Sequence, residues 1–129
     1  MTRGLTGNRQ NQQSLLVFKN KTQSTEGFWE ISPETLSENK DCVKIIDVRR
    51  PDEFTGELGH IEGSELVTLE TEFKSAIEGW DKNETIVFVC RSGGRSGKAT
   101  QYAQALGFKD VYNMEGGMLL WNEKKLPTE

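Results

Sequence analysis

The chain has 129 residues, of which 34% are hydrophobic and 28% charged, and its formal net charge is −4 at pH 7. This length fits one domain with a modest core, and the negative charge argues against a general nucleic-acid binder. With two cysteines, no C-x-x-C pair and one histidine, the sequence predicts neither a disulfide scaffold nor a zinc site, and no metal ligands are assigned.

Residues 1–27 form a polar N-terminal extension, rich in Gln, Asn, Ser and Thr and without a clear hydrophobic period. This composition is typical of a flexible tail on a monomer. In the alternative, the apolar cluster at residues 15–18 docks on this domain or on a second copy, which would make a homodimer. The cluster is too short for a signal-peptide core, and no run reaches membrane-spanning length, so we expect a cytoplasmic protein without a membrane partner.

Regular patterns begin after this extension, and they predict one domain over residues 28–127. In chain order they indicate a strand at 28–31, a helix at 33–39, a strand at 43–48, a short helix from residue 51, a turn at 60–64 and a helix at 72–79. They continue with a strand at 85–89, a helix at 96–106 ended by a glycine, a strand at 110–113 and a short last helix after residue 117. Ser32 and Thr71 are the predicted N-caps of the first and third helices.

Strands that alternate with short helices favour the α/β class, with a central, mainly parallel sheet flanked by helices. In such sheets, ligands bind beyond the carboxyl ends of the strands. Cys90 directly follows the strand at 85–89, while Asp47 and Arg49 lie at the end of the strand at 43–48. The sequence therefore predicts that these three residues share one mouth of the sheet.

Cys90 is the strongest candidate for a catalytic residue, because a loop with paired glycines and two arginines follows it and leads into a helix. Gly93 and Gly94 allow backbone N–H groups to turn toward the thiol, and the helix N-terminus adds positive potential. These features favour the thiolate, which is the nucleophile. The alternative, a buried structural cysteine, leaves the glycines and arginines unexplained. We expect an anionic substrate, bound by Arg91, Ser92, Gly93, Gly94, Arg95 and Ser96.

Four charged residues receive separate interpretations. Arg91 is predicted to lie at the pocket mouth and to attract anionic donors. Arg95 is predicted to brace the loop, and Asp47 to support the loop by accepting hydrogen bonds. For Arg49 two readings remain open, namely a charge that binds the substrate and a structural ion pair.

The segment Cys90–Ser96 resembles the active-site loop of single-domain rhodaneses, which are sulfurtransferases. Three further segments resemble family landmarks in the same order. They are the D-V-R segment at 47–54, the G-H-I turn at 59–64 with Ser64 in place of the usual alanine, and the closing N-x-x-G-G stretch at 113–118 with Trp121 and Pro127. The resemblance covers roughly residues 28–127.

The resemblance implies a three-layer rhodanese-like domain and a ping-pong transfer of sulfur without a cofactor. Cys90 would take the outer sulfur from thiosulfate or a persulfide donor, hold it as a persulfide, and pass it to cyanide, a thiol or a protein acceptor. The position of His60 in the G-H-I turn implies a structural hydrogen bond for this residue. Cys42 has no implied role.

Three alternatives remain. A rhodanese-fold binding or regulatory module would have no turnover, and a dedicated persulfide carrier would react poorly with cyanide. A cysteine phosphatase or arsenate reductase is the third, but those enzymes use a C-x5-R loop, whereas four residues separate Cys90 from Arg95. The short loop suits a single sulfur atom better than a tetrahedral oxyanion.

Overall fold

The computed structural model describes Phe18 and residues 21–129. In this part of the chain the strands are β1 (Thr22–Gln23), β2 (Trp29–Ile31), β3 (Lys44–Asp47), β4 (Glu65–Leu66), β5 (Ile86–Val89) and β6 (Val111–Met114). The helices are α1 (Pro33–Asn39), α2 (Pro51–Phe54), α3 (Phe73–Ile77), α4 (Gly94–Ala105) and α5 (Gly117–Glu123), with a 3₁₀ helix at Lys40–Cys42. The strands form one sheet in the order β1-β2-β6-β5-β3-β4; the β1–β2 pair is antiparallel and the other described pairs are parallel.

Helices cover both faces of this sheet, so its central strands are buried on both sides. Every residue of β5 and β6 is buried. On one face α3 and α4 pack on Phe88, and on the other face α1 and α5 pack on Val87 and Val89. The α/β class predicted from the alternating pattern is confirmed, with one apolar cluster on each side of the sheet.

The parallel register brings the ends of β3 and β5 together. Asp47, the last residue of β3, pairs with Val89, the last residue of β5. Cys90 is the next residue along the chain, so the cysteine and the Asp47 carboxylate leave the sheet at the same edge. The loop that follows Cys90 runs directly into α4.

The helix boundaries agree with the sequence in one case and differ in another. Ser32 caps α1 as predicted, since its Oγ accepts the Thr35 N–H at 3.1 Å. Helix α4 begins at Gly94 rather than at Ser96, so that prediction is wrong by one half-turn. The reason is Gly93, whose φ of +105° places it in the left-handed region and completes the turn before the helix.

Thr71 is not the cap of α3, contrary to the sequence prediction. The N-cap is Glu72, and the helix starts at Phe73. The Thr68 carbonyl accepts the N–H groups of Thr71, Glu72 and Phe73 at 3.3, 2.9 and 3.1 Å. Thr71 therefore lies inside a tight turn, one residue before the cap position.

The predicted extension at residues 1–27 contributes contacts to the sheet wherever it is described. Its β1 strand pairs with β2 through a turn closed by Gly27, whose φ is +93°. Phe18 is 1% exposed, and its ring centroid lies 4.6 Å from that of Tyr112. The remainder of the 15–18 cluster lies outside the described residues, and the homodimer stays a prediction.

Candidate active site

The Cys90 sulfur lies at the junction of β5 and α4. Its Sγ atom accepts a hydrogen bond from the Gly93 N–H at 3.1 Å, and the Ser96 Oγ lies 3.2 Å away. The left-handed conformation of Gly93 is what turns its N–H back toward the sulfur. Because the first N–H groups of a helix have no intrahelical acceptor, the start of α4 also presents positive potential here. Two N–H-bearing elements therefore face this sulfur, which is only 1% exposed.

The opposite side of the loop is held by the start of α5. The Met118 N–H donates to the Cys90 carbonyl at 2.8 Å, and the Leu119 N–H donates to the Arg91 carbonyl at 3.0 Å. This contact needs Gly117, since a Cβ there would lie 2.4 Å from the Arg91 carbonyl oxygen and its φ is +60°. The N-termini of two helices thus enclose the loop, one facing its sulfur and one facing its carbonyls.

Asp47 and Arg49 form a buried ion pair beside the loop. The Arg49 Nε and Nη2 atoms donate to the two Asp47 carboxylate oxygens at 2.9 and 2.8 Å, and Nη2 also donates to the Gly59 carbonyl at 2.7 Å. Both residues are 1% exposed. Arg49 therefore forms the ion pair that one of its two interpretations requires. Substrate binding by Arg49 and loop support by Asp47 stay predictions.

Arg95 forms a second, more accessible pair with Glu53 of α2. Its Nη1 and Nη2 atoms donate to the two carboxylate oxygens at 2.8 and 2.9 Å. The Arg95 hydrogen bonds lower the pKa of Glu53 to about 2, against the opposing effect of burial, and the Arg50 backbone N–H lowers this pKa further. The pair ties the first turn of α4 to α2, which is the contact that a loop-bracing role requires.

Arg91 and Ser92 are exposed residues of the Cys90 loop, and their position at the mouth of a substrate pocket stays a prediction. Arg91 lines a cavity of about 610 Å³ together with Leu58, Leu119 and the acidic residues Asp52 and Glu57. Within the described part of the chain Arg91 has no ion pair, in contrast to Arg49 and Arg95. Its charge is therefore free to act on an approaching anion.

Two residues near the sulfur were assigned no role from the sequence. Asn113 of β6 is 1% exposed; its Nδ2 donates to the Glu30 carboxylate at 2.8 Å, and its Oδ1 lies 2.5 Å from the Ser96 Oγ. A polar amide in a buried strand is a signal for such a role, because a buried amide needs hydrogen-bond partners. Glu30 carries no comparable signal, since a glutamate on a short strand is ordinarily solvated.

The remaining candidates lie apart from the sulfur. His60 has the structural hydrogen bond that the resemblance implied, with its Nδ1 atom 2.9 Å from the Phe54 carbonyl oxygen. Cys42 is a free, exposed cysteine. Among residues 18 and 21–129, no group of three or more His, Cys, Asp or Glu residues is placed to hold a metal ion, and no helix has the length and apolar character to cross a bilayer.

The described chain is an α/β domain with a mainly parallel sheet and a buried cysteine at the junction of a central strand and a helix, and comparison with known proteins identifies its family. A sequence model of the family described as Rhodanese-like domain matches residues 32–124. The chain is 32% identical over 98 residues to the thiosulfate sulfurtransferase GlpE of Pseudomonas aeruginosa, an alignment that covers 75% of this chain and 86% of GlpE.

Two further relatives extend the comparison. The uncharacterized protein slr1261 of Synechocystis is 35% identical over 107 residues; the match covers 81% of this chain but only 58% of slr1261. A rhodanese-like domain protein from Staphylococcus aureus has a solved structure that matches with a TM-score of 0.65 at 31% identity, over 78% of this chain and 97% of that one. The chain belongs to the rhodanese-like domain family, and the names of its relatives support a role within the sulfurtransferases.

Proposed function

We propose that the protein moves a sulfane sulfur from thiosulfate or a persulfide donor to a thiophilic acceptor through a persulfide on Cys90. The observation that carries this proposal is the position of the Cys90 Sγ atom, which lies at a helix N-terminus and accepts the Gly93 N–H. Such donors stabilise negative charge on the thiolate and on the persulfide. The relative named thiosulfate sulfurtransferase supports the class of donor.

In the first half-reaction, the Cys90 thiolate attacks the outer sulfur of thiosulfate. A bond forms between the two sulfurs, the S–S bond within thiosulfate breaks, and sulfite leaves with the bonding electron pair. The persulfide keeps the one negative charge that the thiolate carried. The free N–H groups at the start of α4 are available to this terminal sulfur.

In the second half-reaction, an acceptor attacks the terminal sulfur of the persulfide. Cyanide becomes thiocyanate, a thiolate becomes a persulfide, and the electron pair of the broken bond restores the Cys90 thiolate. No cofactor enters this cycle, because the sulfur atom is carried by the cysteine itself.

The burial of Cys90 supports transfer of one atom rather than of a bulky group. At 1% exposure the sulfur offers almost no surface to a bulky group, and the exposed Arg91 of the same loop is proposed to attract an anionic donor. The loop from Cys90 to Arg95 also has one residue fewer than a phosphatase loop needs to surround a phosphate. The proposed partners are therefore a small anionic sulfur donor and a thiol, cyanide or protein acceptor, in a reducing compartment such as the cytoplasm.

The test is the intact mass of the protein after incubation with thiosulfate, before and after cyanide. We expect the wild type to gain the mass of one sulfur, and cyanide to remove it with release of thiocyanate. Cys90→Ser should gain nothing. Cys42→Ser is the matched control, because it removes the exposed cysteine and should still gain the sulfur.

Other outcomes identify the alternatives. A gain that persists in Cys90→Ser would contradict transfer through Cys90. A Cys90 persulfide that resists cyanide would indicate a dedicated carrier, and no gain with any sulfane donor would indicate a binding module. Hydrolysis of an aryl phosphate by the wild type, lost in Cys90→Ser, would instead indicate a phosphatase.

A further inference from the structure

The Ser96 hydroxyl lies between two groups that both accept hydrogen bonds. Its Oγ atom is 2.5 Å from the Asn113 Oδ1 and 3.2 Å from the Cys90 Sγ. All three side chains are at most 1% exposed, so water does not replace a partner that is lost. A hydroxyl carries one proton and can donate it to only one of these acceptors at a time.

The orientation of the Asn113 amide is set by the groups on its other side. Its Nδ2 donates to the Glu30 carboxylate at 2.8 Å and approaches the Gly93 carbonyl at 3.3 Å. A flipped amide would point its oxygen at these two acceptors and would lose both contacts. The oxygen of Asn113 therefore faces Ser96, and the short contact between them uses the proton of Ser96.

The Ser96–Asn113 contact suits a neutral Cys90, whereas the Gly93 N–H and the start of α4 suit a thiolate. A neutral thiol can donate its own S–H to the Ser96 oxygen. Cys90, Ser96 and Asn113 then each have a hydrogen-bond partner. A thiolate has no proton to give and would face a lone pair of Ser96. It gains a donor from Ser96 only if the hydroxyl turns away from Asn113, which leaves a buried amide oxygen without that donor.

We propose that Asn113 is a positioning residue that competes with the Cys90 sulfur for the proton of Ser96. The Ser96 hydroxyl turns from Asn113 to the sulfur when the sulfur becomes negative. Glu30 strengthens the competition, because it holds the Asn113 amide in the orientation that accepts from Ser96. The inference rests on the proposed function only in taking Cys90 as the nucleophile.

Other charged groups lie around the Cys90 loop, and the test must hold them constant. They are the Asp47–Arg49 pair at the end of β3, Arg91 of the loop, Arg95 at the start of α4 with its partner Glu53 of α2, and Glu30 of β2, which binds Asn113. All of these charges, including Glu30, are present in the principal variants below, and Glu30 is replaced only in the second pair. Differences between those variants therefore report on the hydroxyl and the amide.

The experiment measures the rate of Cys90 alkylation by iodoacetamide across pH, in a Cys42→Ser background that removes the exposed thiol. Ser96→Ala deletes the donor that the thiolate needs, so the pH of half-maximal rate should rise by roughly one unit. Asn113→Val frees the Ser96 proton for the sulfur, so the midpoint should fall. A loosened loop would move both midpoints in the same direction, and that result overturns the proposal.

Two controls isolate the route of the effect. Thr100→Val removes another buried hydroxyl of α4, one that donates to the Ser96 carbonyl rather than to the sulfur, and should leave the midpoint unchanged. The double variant Ser96→Ala with Asn113→Val should match Ser96→Ala alone, because Asn113 acts through Ser96. A midpoint for the double variant well below that of Ser96→Ala would contradict this coupling.

A second pair of variants keeps the proposal testable if Asn113→Val does not fold. Glu30→Gln and Glu30→Ala both remove the charge, but only glutamine keeps an acceptor for the Asn113 amide. We expect a lower midpoint for Glu30→Ala than for Glu30→Gln, and equal or reversed midpoints overturn the proposal. Alkylation needs no sulfur donor, so a failure here is distinct from a failure of sulfur transfer.

Discussion

Two arginine–carboxylate pairs flank the Cys90 loop, and they differ mainly in their access to water. The Asp47–Arg49 pair has side chains that are both 1% exposed, whereas in the Glu53–Arg95 pair Glu53 is 15% and Arg95 26% exposed. In both pairs the guanidinium binds two carboxylate oxygens. The donor atoms are Nε and Nη2 in the Asp47–Arg49 pair and Nη1 and Nη2 in the Glu53–Arg95 pair, so both pairs are bidentate and differ in burial.

The difference assigns the two pairs to different tasks. A buried pair that loses one member leaves a charge without solvent, so the Asp47–Arg49 pair is a fixed part of the mouth. The outer pair is partly open to water, so the loss of one member should cost less there. The inner pair joins the end of β3 to the Gly59 carbonyl, while the outer pair joins α2 to the first turn of α4.

The largest expected effect comes from breaking the inner pair on one side only. Asp47→Ala leaves the Arg49 charge buried, and we expect a loss of about 3–5 kcal/mol in the free energy of unfolding. Urea unfolding followed by tryptophan fluorescence measures it. Glu53→Ala is the matched control and should cost clearly less, because water can reach the Arg95 charge that it leaves behind. Equal losses for the two variants would remove the distinction between the pairs.

A smaller loss of stability is expected when arginine is replaced by lysine, which keeps the positive charge but has no planar guanidinium group. Arg49→Lys cannot reach both Asp47 oxygens and the Gly59 carbonyl together, so we expect a loss of about 1–3 kcal/mol. Arg95→Lys should change the free energy of unfolding by less than about 1 kcal/mol, since water can replace the missing contact. Urea unfolding of the two lysine variants measures both losses. A larger loss for Arg95→Lys than for Arg49→Lys would contradict the comparison of the two pairs.

The Glu53–Arg95 pair should also contribute to the pH dependence of the free energy of unfolding. The pKa of Glu53 is lowered from 4.5 to about 2, so its contribution is fully present above pH 4.5 and is lost as pH falls through about 2. The stability difference between wild type and Glu53→Gln should therefore be constant from neutral pH to about 4.5 and should shrink below it. Acid titrations of both proteins in urea measure this, and a difference that shrinks above pH 5 would contradict the assignment.

The third arginine near the loop, Arg91, should affect stability least. It is exposed and unpaired within the described residues, so Arg91→Ala should change the free energy of unfolding by no more than about 0.5 kcal/mol. In a sulfur-transfer assay it should raise the KM for thiosulfate, and more so at low salt, because its charge attracts the anion. An unchanged KM at low salt would remove Arg91 from donor binding.

The sequence predicted the central elements well because their signals are local. The apolar run before Cys90 and the Ser32 cap need no distant partner to be recognised. The strands β1 and β4 were missed because each has two residues and exists only through pairing with a neighbour. The start of α4 was misplaced because glycine is a poor helix former, and only the left-handed turn at Gly93 shows that the helix has already begun.

The sequence predicted the candidate nucleophile of the site better than the residues that contact its loop from other strands and helices. Cys90 and its loop stand together in the sequence, so their chemistry could be inferred from adjacent residues. Glu53 and Asn113 contact the loop from α2 and β6, and Glu30 of β2 contacts Asn113. The buried amide of Asn113 signals that it needs partners, but nothing in the sequence says which residues they are. Side chains that act across the fold are found only once the strand order is known.

The hold of α5 on the loop has a consequence for the order of synthesis. The carbonyls of Cys90 and Arg91 are bound by N–H groups of Met118 and Leu119, which are translated later. Cys90 is therefore translated before the residues that hold its loop. The geometry of the loop is completed only with α5, so a chain interrupted before α5 lacks these two hydrogen bonds.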